Sequence, residues 1–547
     1  MLSRSDHVTD TPATGTTTLA ALLRARAAAD PDRPVLICDA ERLTYSEAER
    51  DSAELARGLL ALGAGKGTHV GLLYPNGADF VVGALAAARI GAVVVPHSTF
   101  STARELREQL VHSDTHILLA TGRYRSHDYA QRLTEILAGG ERDRTGRVFC
   151  PDVPQLRRVA VDGALGPHGI GSVRQAATNV DGALLSAAEA DVDGCDRLAI
   201  VYTSGSTSAP KGVVHTHAAL LEHQRNLNRI RGLTESDVLF CNSPFFWIGG
   251  FAFGLLATVV AGSTLVCSNA TDAGATLDLL EAERPTVTNG FAAGVAHLAQ
   301  HPDFGSRDLS SMRRGNLYPI MPAELRPADP ELRHNMLGMT ETGSVVLIDG
   351  DESDQPESRR GSFGRPAPGF DTQIADPRTG APVPAGEVGE LRFRGPHLMR
   401  GYHKRGREEC FDTDGWFHTG DLARIDPDGF VYFLGRSGAM IKTAGANVAP
   451  AEVEKAITDL TGAAAHVFDL PHPTRGQQVA AVLALDDPGI FDETALREKL
   501  RTRLSAYKIP GRFAVIATAD IPLLSSGKVD VRGLRKIFEQ IDGTSNS

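Results

Sequence analysis

The chain has 547 residues and a formal net charge of −11, with 42% hydrophobic and 22% charged residues, which is ordinary for a globular protein. This length exceeds what one hydrophobic core supports, so two or more domains are predicted. The acidic balance disfavours a nucleic-acid or anionic-membrane surface, because phosphates would be repelled. The six scattered cysteines and the absence of an apolar signal segment predict reduced, buried thiols in a cytoplasmic protein.

The first half of the chain shows the pattern of parallel sheets. Amphipathic helices alternate with short apolar strands from Leu19 to Ala120, and again from Asp196 to Ile348. The stretch from Ala138 to Gly171 is rich in Gly, Arg and Pro, and is interpreted as surface loops. The segment Phe245 to Cys267 is charge-free and long enough to span a bilayer. Glycines near both ends and the lack of flanking basic clusters favour a buried helix followed by a buried strand.

The pattern of predicted elements changes in the second half of the chain. Short strands with turn signals run from Arg360 to Arg436, and helix and strand patterns follow beyond Gly438. The predicted fold is therefore α/β: a large N-terminal domain of two parallel-sheet α/β subdomains plus a small β-rich subdomain, followed by a small α+β C-terminal domain. The predicted boundaries are a disordered N-terminus at 1–18, the large domain at 19–436, the small domain at 437–541 and a disordered tail at 542–547.

The strongest chemical motif is YTSGSTSAPKGVVHTH, Tyr202 to His217, which follows the apolar strand LAIV. A strand that enters a loop of Ser, Thr and Gly with one Lys is suited to wrap a polyphosphate with amides and hydroxyls. The alternative for this loop alone is a Ser/Thr-rich surface linker, and it is not a Walker A loop. The candidate phosphate-binding residues are Thr203, Ser204, Gly205, Ser206, Thr207 and Lys211.

Four further motifs carry polar residues suited to a nucleotide. HNMLGMTETGS places two hydroxyls and the Glu341 carboxylate on a tight loop, as a hard cation or a phosphate requires. In DTDGWFHTGDLARIDPDG, Asp421 follows a Thr-Gly turn, where it can accept hydrogen bonds from a sugar diol or serve the turn itself. The third motif is GRSGAMIKTAGANVAPAEVE, in which Arg436 closes the large domain. The fourth is PLLSSGKVD, which contains Lys528; taken singly, this residue would be interpreted as a solvated surface lysine.

Together and in this order, these motifs resemble the ANL superfamily of adenylate-forming enzymes over nearly the whole chain. GLLYPNGADFVVGALAAARIGAVVVPHSTF and SPFFWIGGFAFG are most similar to its acyl-CoA synthetase branch. The resemblance implies an AMP-forming acid–thiol ligase with an AMP-binding domain at 19–436 and a mobile lid at 437–541. A carboxylate would attack the α-phosphate of ATP bound with Mg²⁺ to give an acyl-adenylate, the lid would rotate, and the thiol of coenzyme A would attack the acyl carbon.

The same resemblance assigns roles residue by residue. Thr340 would contact the α-phosphate, and Glu341 would hold the metal. Asp421 and Arg436 would bind the ribose, and Lys528 would neutralise the charge that develops in adenylation. The hinge falls at Gly438, the CoA-binding residues are Gly445 and Ala446, and the substrate-binding residues are Trp247, Phe291, Asn316, Leu317, Gly338 and Gly343.

Two departures from the family pattern concern adenine. Leu337 stands where a Tyr usually stacks on the base, and NLYPIMPAEL lacks the usual glycine pair. Three hypotheses follow: a complete acyl-CoA ligase, with Tyr318 supplying a ring from another angle; a ligase that only thioesterifies an acyl-adenylate made by another enzyme; and a non-catalytic binding protein. The first is favoured, because Lys211, Glu341, Asp421, Arg436 and Lys528 are all present.

The partners expected from this resemblance are a carboxylic acid and CoA, with a separate carrier protein or adenylating enzyme as alternatives. The family's acyl pocket is lined here by the segments Phe245–Gly250, Asn289–Ala292, Gly315–Leu317 and Leu337–Gly343. Because these segments contain no Arg or Lys, we expect a hydrophobic monocarboxylate, of medium to long chain or polycyclic.

Overall fold

The computed structural model describes residues 18–163, 169–203, 211–436, 441–485, 491–522 and 529–544. Two largely parallel sheets form its large N-terminal part. In hydrogen-bonded order, the first sheet contains Arg314–Gly315, Val287–Asn289, Val238–Cys241, Thr264–Cys267, Pro34–Cys38 and Glu41–Thr44. The second contains Arg158–Val161, Ile117–Ala120, His69–Leu73, Val93–Pro96, Arg197–Thr203, Lys211–Thr216 and Gly401–Tyr402. Antiparallel pairing occurs at Glu41–Thr44 in the first sheet and at the last two strands of the second.

Two inner strands of the second sheet are continuous apolar runs. VVVP at 93–96 and ILLA at 117–120 are buried at every residue, as expected where both faces of a parallel sheet are covered. Capping boxes at Thr44 with Glu47 and at Thr102 with Glu105 fix two of the helix starts. The helices before residue 300 are Leu19–Ala29, Tyr45–Ala61, Ala78–Arg89, Ala103–His112, Tyr129–Ile136, Ile170–Ala176, Gly182–Ala190, His217–Arg231, Ala257–Ala261, Ala273–Glu283 and Ala292–Val295.

The charge-free segment Phe245 to Cys267 is confirmed as a buried helix followed by a buried strand. A π-helical turn at Gly249–Leu256 continues into Ala257–Ala261 and then into Thr264–Cys267. Gly250 is required at its position, because a Cβ there would lie 2.1 Å from the carbonyl oxygen of Pro244. Among the described residues, no helix has the length and apolar character needed to cross a membrane.

Two sequence-based expectations about local structure are wrong. The stretch from Ala138 to Gly171 is not only surface loop, since Arg158–Val161 pairs in parallel with Ile117–Ala120. Side chains from this stretch, such as Val148 and Leu156, pack in a core that Leu118 and Tyr129 share. All six cysteines are free, as predicted, but Cys195 is exposed and Cys410 is only partly buried.

The β-rich part and the C-terminal part confirm the rest of the predicted architecture. An antiparallel sheet of Asp371–Ala375, Gly389–Arg394, Phe417–Ile425 and Val431–Arg436 lies beside a smaller one of Leu337–Met339, Ser344–Ile348 and Arg365–Pro366. The C-terminal sheet contains Ala446–Val448, Ile441–Thr443, Gly476–Ala484, Ala464–His472 and Arg512–Ile516. Its helices are Pro450–Thr461, Glu493–Arg501 and Val531–Thr544, and Ile441, Val453, Leu483 and Leu500 belong to a core of its own. The small two-stranded pairs are Arg123–Tyr124 with His127–Asp128 and Glu141–Arg142 with Val148–Phe149.

Candidate active site

The TETG loop is a buried turn held by hydrogen bonds. Thr340–Thr342 forms a 3₁₀ turn between two strands, and it ends at Gly343, whose φ of 72° is left-handed. The Thr342 hydroxyl donates to the carbonyl oxygens of Met339 (3.0 Å) and Ser344 (2.8 Å). His215 Nε2 donates to the carbonyl oxygen of Thr340 at 2.7 Å. Burial lowers the pKa of His215 to about 4, so a neutral imidazole holds the loop at pH 7.

Glu341 is connected to the phosphate-loop lysine through a tyrosine. The carboxylate is 8% exposed, and its Oε1 accepts a hydrogen bond of 2.7 Å from the hydroxyl of Tyr402. The ammonium nitrogen of Lys211 lies 5.0 Å from the centroid of the Tyr402 ring, within the range of a cation–π contact. The pairing of Val213 with Tyr402 across neighbouring strands brings these groups together. The structure therefore joins two of the predicted nucleotide-site motifs.

The predicted phosphate loop begins and ends in one hairpin. Thr203 closes the strand Arg197–Thr203 and is paired with Lys211, the first residue of the next strand. Six of the predicted site residues lie outside the described residues: Ser204, Gly205, Ser206, Thr207, Gly438 and Lys528. Their assignment therefore rests on the sequence motifs alone.

Asp421 and Arg436 face each other across a second hairpin. They are register partners on the strands Phe417–Ile425 and Val431–Arg436. The backbone N–H of Asp421 donates to the hydroxyl of Thr419 at 3.0 Å, and that hydroxyl donates to the carbonyl oxygen of Leu391 at 2.6 Å. The turn therefore fixes Asp421, which is buried. The Arg436 side chain lies outside the described part of the chain.

A cavity of about 690 Å³ lies between the large domain and the C-terminal domain. The predicted substrate residues Trp247 and Phe291 line one side of it together with Phe100 and Phe246. Arg125, Arg132 and Arg501, which lie outside the predicted pocket segments, also belong to its lining. Its opposite wall includes Thr443, Ala444 and the predicted CoA residue Ala446 from the hairpin Ile441–Val448. A Cβ on Gly445 would lie 2.5 Å from Cγ of Phe291, so this hairpin is packed directly against the aromatic wall.

The other predicted substrate residues surround a smaller cavity or fill cores. Asn316 and Gly290 exchange two hydrogen bonds, of 3.1 Å and 2.8 Å, beside a cavity of about 50 Å³ that Asn316, Tyr318 and Arg231 line. Leu317 is fully buried in the core around Ile320. Gly338 is needed for strand pairing, since a Cβ there would lie 2.8 Å from the carbonyl oxygen of Ser344.

Leu337 packs as a core residue. It is 5% exposed and belongs to a hydrophobic cluster that includes Phe253, Leu347 and Ile374. In the sheet it is paired with Leu347. Tyr318, the ring proposed as a substitute, is partly buried in the wall of the smaller cavity. The Leu337 side chain is therefore packed among other apolar side chains, and Tyr318 lies in the wall of a different cavity from the one between the domains.

Sequence reasoning missed three groups that the structure places at these sites. Tyr402 stands in a Gly-Tyr pair that has no chemical signature of its own. Arg231 lies at the end of a long helix, 14 residues after that helix begins, and its Nη1 is buried without a hydrogen-bond partner in the described residues. Lys508 is buried at the domain interface. An apolar context, LSAYKIP, is the signal that could have drawn attention to this lysine.

Comparisons with known proteins identify the family of the chain. The family model of the AMP-binding enzymes matches residues 23–403. Feruloyl-CoA synthase of an Amycolatopsis species is 33% identical over 506 residues, which cover 91% of this chain and 94% of that protein. The mitochondrial medium-chain acyl-CoA ligase ACSF2 of Bos taurus is 28% identical over 96% of this chain and 88% of its own length.

Solved structures show the same architecture. The fatty acyl CoA synthetase of Mycobacterium tuberculosis has a TM-score of 0.63 at 25% identity, with 96% of this chain and 99% of that chain covered. A double mutant of the o-succinylbenzoate CoA synthetase MenE of Bacillus subtilis, bound with its product analogue OSB-NCoA, has a TM-score of 0.74 at 24% identity, with coverages of 94% and 98%. The chain therefore belongs to the AMP-binding enzyme family of the ANL superfamily, in its acyl-CoA synthetase branch, and is an AMP-forming acid–thiol ligase.

Proposed function

We propose that the chain joins a hydrophobic monocarboxylic acid to coenzyme A through an acyl-adenylate. The observation that carries this proposal is the cavity between the domains, whose aromatic wall of Phe246, Trp247 and Phe291 faces the Gly445 hairpin. An apolar wall suits a hydrophobic acyl group, because burying it removes apolar surface from water. The hairpin on the opposite side is the element assigned to the pantetheine thiol.

In the first half-reaction, a carboxylate oxygen of the acid forms a bond to the α-phosphorus of ATP, and pyrophosphate leaves. Thr340 is proposed to contact the α-phosphate, the loop from Thr203 to Lys211 to hold the other phosphates, and Asp421 with Arg436 to bind the ribose. Lys528 is proposed to neutralise the charge that grows between the carboxylate and the phosphate. In the second half-reaction, the thiol sulfur of CoA attacks the acyl carbon, the thiol proton is lost, and AMP leaves.

Glu341 fits a magnesium site. Its carboxylate is buried and accepts one hydroxyl hydrogen bond from Tyr402 at Oε1. No cluster of three or more metal-ligating side chains occurs in the part of the chain that the structure describes. Mg²⁺ commonly binds through one or two carboxylates, substrate phosphates and water. When bound, the ion would screen the charge of the phosphates, and Tyr402 would orient the carboxylate that holds it.

A second candidate is a ligase that performs only the thioesterification half-reaction. The observation that favours it is the position of Leu337, which packs in a core. Losing one stacking contact costs about 1–3 kcal/mol, by analogy with stacking on nucleic-acid bases. This loss raises the KM for ATP without abolishing the reaction, so the complete ligase is the stronger proposal.

One experiment separates the two candidates. The enzyme is incubated with a panel of fatty and aromatic acids, ATP and Mg²⁺, and pyrophosphate release is followed. In parallel, synthetic acyl-adenylates are supplied with CoA and without ATP. Acid-dependent pyrophosphate release supports the complete ligase, whereas thioester formed only from the adenylates supports the second candidate.

The role of Lys528 is tested in the same two assays. Lys528→Ala is expected to suppress adenylation and to spare thioesterification, because the charge it neutralises develops only in the first step. Equal loss of both activities would show that this lysine is misassigned. A carrier protein presents the same pantetheine thiol as CoA, so replacing CoA by a loaded carrier tests the choice of thiol donor.

A further inference from the structure

A buried ion cluster joins the C-terminal domain to the helix Ala103–His112 of the large domain. The Lys508 ammonium lies 2.8 Å from Glu105 Oε1 and 2.8 Å from Glu452 Oε1. Ser505 adds two bonds to Glu105, from its backbone N–H (3.1 Å) and its hydroxyl (2.7 Å). Lys508 is 7% exposed. Glu105 therefore accepts three hydrogen bonds from the C-terminal domain, one of them from a buried cation.

The charges of this cluster depend on one another. Burial alone would raise the pKa of Glu105, but Lys508, Thr102 and Ser505 together hold it below its ordinary value. Burial raises the pKa of Glu452, and the attraction of Lys508 offsets this only in part. In the described residues, no second cation lies within 4.0 Å of either carboxylate. Removing Lys508 would therefore leave two largely buried carboxylates, with side chains 13% and 16% exposed, without a counter-charge, which is unfavourable.

The cluster is mechanically connected to the Gly445 hairpin. Glu452 lies in the first turn of the helix Pro450–Thr461, which directly follows the strand Ala446–Val448. Next to Lys508, the Tyr507 ring makes an edge contact with Phe100, with 5.9 Å between ring centroids. Both rings line the large cavity. The same docking that pairs Lys508 with Glu105 thus packs Gly445 against Phe291.

The two ion pairs of Lys508, with Glu105 and with Glu452, would respond differently to a rotation of the C-terminal domain. Glu452 and Lys508 belong to the same domain and move together, so their contact survives. Glu105 belongs to the large domain, so its bonds to Ser505 and Lys508 exist only in the docked arrangement. A contact that is present in one of two states shifts the equilibrium toward that state by its own free energy.

We propose that Lys508 is a positioning residue for thioesterification: by pairing with Glu105 across the domain interface, it locks the domain arrangement that holds the Gly445 hairpin at the acyl cavity, while Glu452 of its own domain holds its ammonium in place. This inference rests on the proposed function and on the rotation of the C-terminal domain between its half-reactions, which the family resemblance implies. Lys508 acts through the position of the hairpin and does not touch the reacting atoms.

The first test measures the domain arrangement without any substrate. Spin labels are attached to cysteines introduced at the exposed residues Glu135 and Glu498, one in each domain, after Cys195→Ser and Cys410→Ser remove the accessible thiols. The distance distribution is expected to be narrow in the parent protein and to become broad or bimodal in Lys508→Met. An unchanged distribution in Lys508→Met would overturn the proposal, whatever the outcome for the proposed function.

The second test compares the half-reactions, with the acid that gives the greatest pyrophosphate release. In Lys508→Met, thioester formation from the synthetic adenylate is expected to fall about a hundredfold, because a buried pair has lost one partner. Adenylation is expected to change by less than about threefold, since it does not use this arrangement. Glu105→Gln is the milder variant, because it keeps the size of the side chain. It is expected to reduce thioester formation by a smaller factor and to leave adenylation nearly unchanged.

The control is Arg107→Gln, on the same helix. Arg107 is exposed and lies 3.5 Å from Asp152, a surface contact of little energetic value. It is expected to leave both half-reactions and the distance distribution unchanged. Equal loss of adenylation and thioesterification in Lys508→Met and Glu105→Gln would show a merely structural role and overturn the proposal.

Discussion

Replacing Gly445 by Ala tests the assignment of the hairpin most directly. Gly445 has a φ of 86°, so a side chain there costs about 1–2 kcal/mol of backbone strain. Its Cβ would also lie 2.5 Å from Cγ and 2.7 Å and 2.8 Å from the two Cδ atoms of Phe291. Because carbon atoms in contact prefer about 3.5–4.0 Å, the hairpin would have to retreat by about 1 Å.

The expected result is a selective loss of the second half-reaction. Strain of 1–2 kcal/mol alone corresponds to about a 5–30-fold decrease in rate, and the clash with the ring adds to it. Thioester formation from a synthetic acyl-adenylate and CoA is measured under single-turnover conditions, and adenylation is followed by acid-dependent exchange of pyrophosphate into ATP. We expect the first to fall by more than about thirtyfold and the second to change little.

Two variants separate strain from collision. Gly462 is also left-handed, with a φ of 71°, but a Cβ there meets nothing within 4 Å. Gly462→Ala is therefore the matched control, and it is expected to lower stability without a selective loss of thioesterification. In a Phe291→Ala background the collision disappears, so Gly445→Ala is expected to cost only the strain. The reasoning is refuted if Gly445→Ala leaves thioesterification intact or reduces both half-reactions equally.

Three further predictions concern the nucleotide site and acid stability. Tyr402→Phe removes the hydrogen bond to Glu341, so kcat/KM for ATP in pyrophosphate exchange is expected to fall about tenfold; unchanged kinetics would contradict the role of Tyr402. Asp421→Ala is expected to raise the KM for ATP and for the acyl-adenylate alike, because both contain the ribose, and an effect on only one would contradict the assignment. Burial lowers the pKa of His97, His215 and His217 to about 4. The unfolded chain, whose histidines have pKa values near 6.5, takes up these protons first, so stability is lost as the pH falls from about 6.5 toward 4, by about 2 kcal/mol per histidine at pH 5. Urea unfolding at pH 7 and pH 5 measures this loss, and equal midpoints with equal m-values would refute it.

Much of the fold was predictable because it depends on local pattern. Continuous apolar runs such as VVVP and ILLA indicate buried parallel strands, and glycines around the charge-free segment separate a buried helix from a membrane span. The stretch from Ala138 to Gly171 was misread because its polar residues and glycines hide Arg158–Val161, a strand defined by its pairing with Ile117–Ala120. Pairing partners distant in sequence leave no periodic signal in the strand itself.

The candidate site residues also fall into those that the sequence could identify and those that it could not. TETG and Asp421 could be selected from the sequence as candidate nucleotide-site residues, because each belongs to a short motif of polar residues and glycine. Tyr402 and Lys508 could not, because a tyrosine and a lysine are common surface residues until the fold buries them. The contact of Tyr402 with Glu341 spans 61 residues and that of Lys508 with Glu105 spans 403. No local feature of the sequence predicts contacts of that separation.

The sequence by itself determined the kind of enzyme, because the motifs that carry the family resemblance are short, local and rich in polar residues in a fixed order. Only the tertiary structure decided where Leu337 packs and which charged groups meet between the two domains. Leu337 packs in a core, and Lys508 joins carboxylates from both domains. Burial and charge pairing are properties of the space around a side chain, and this space forms only when distant segments pack against each other.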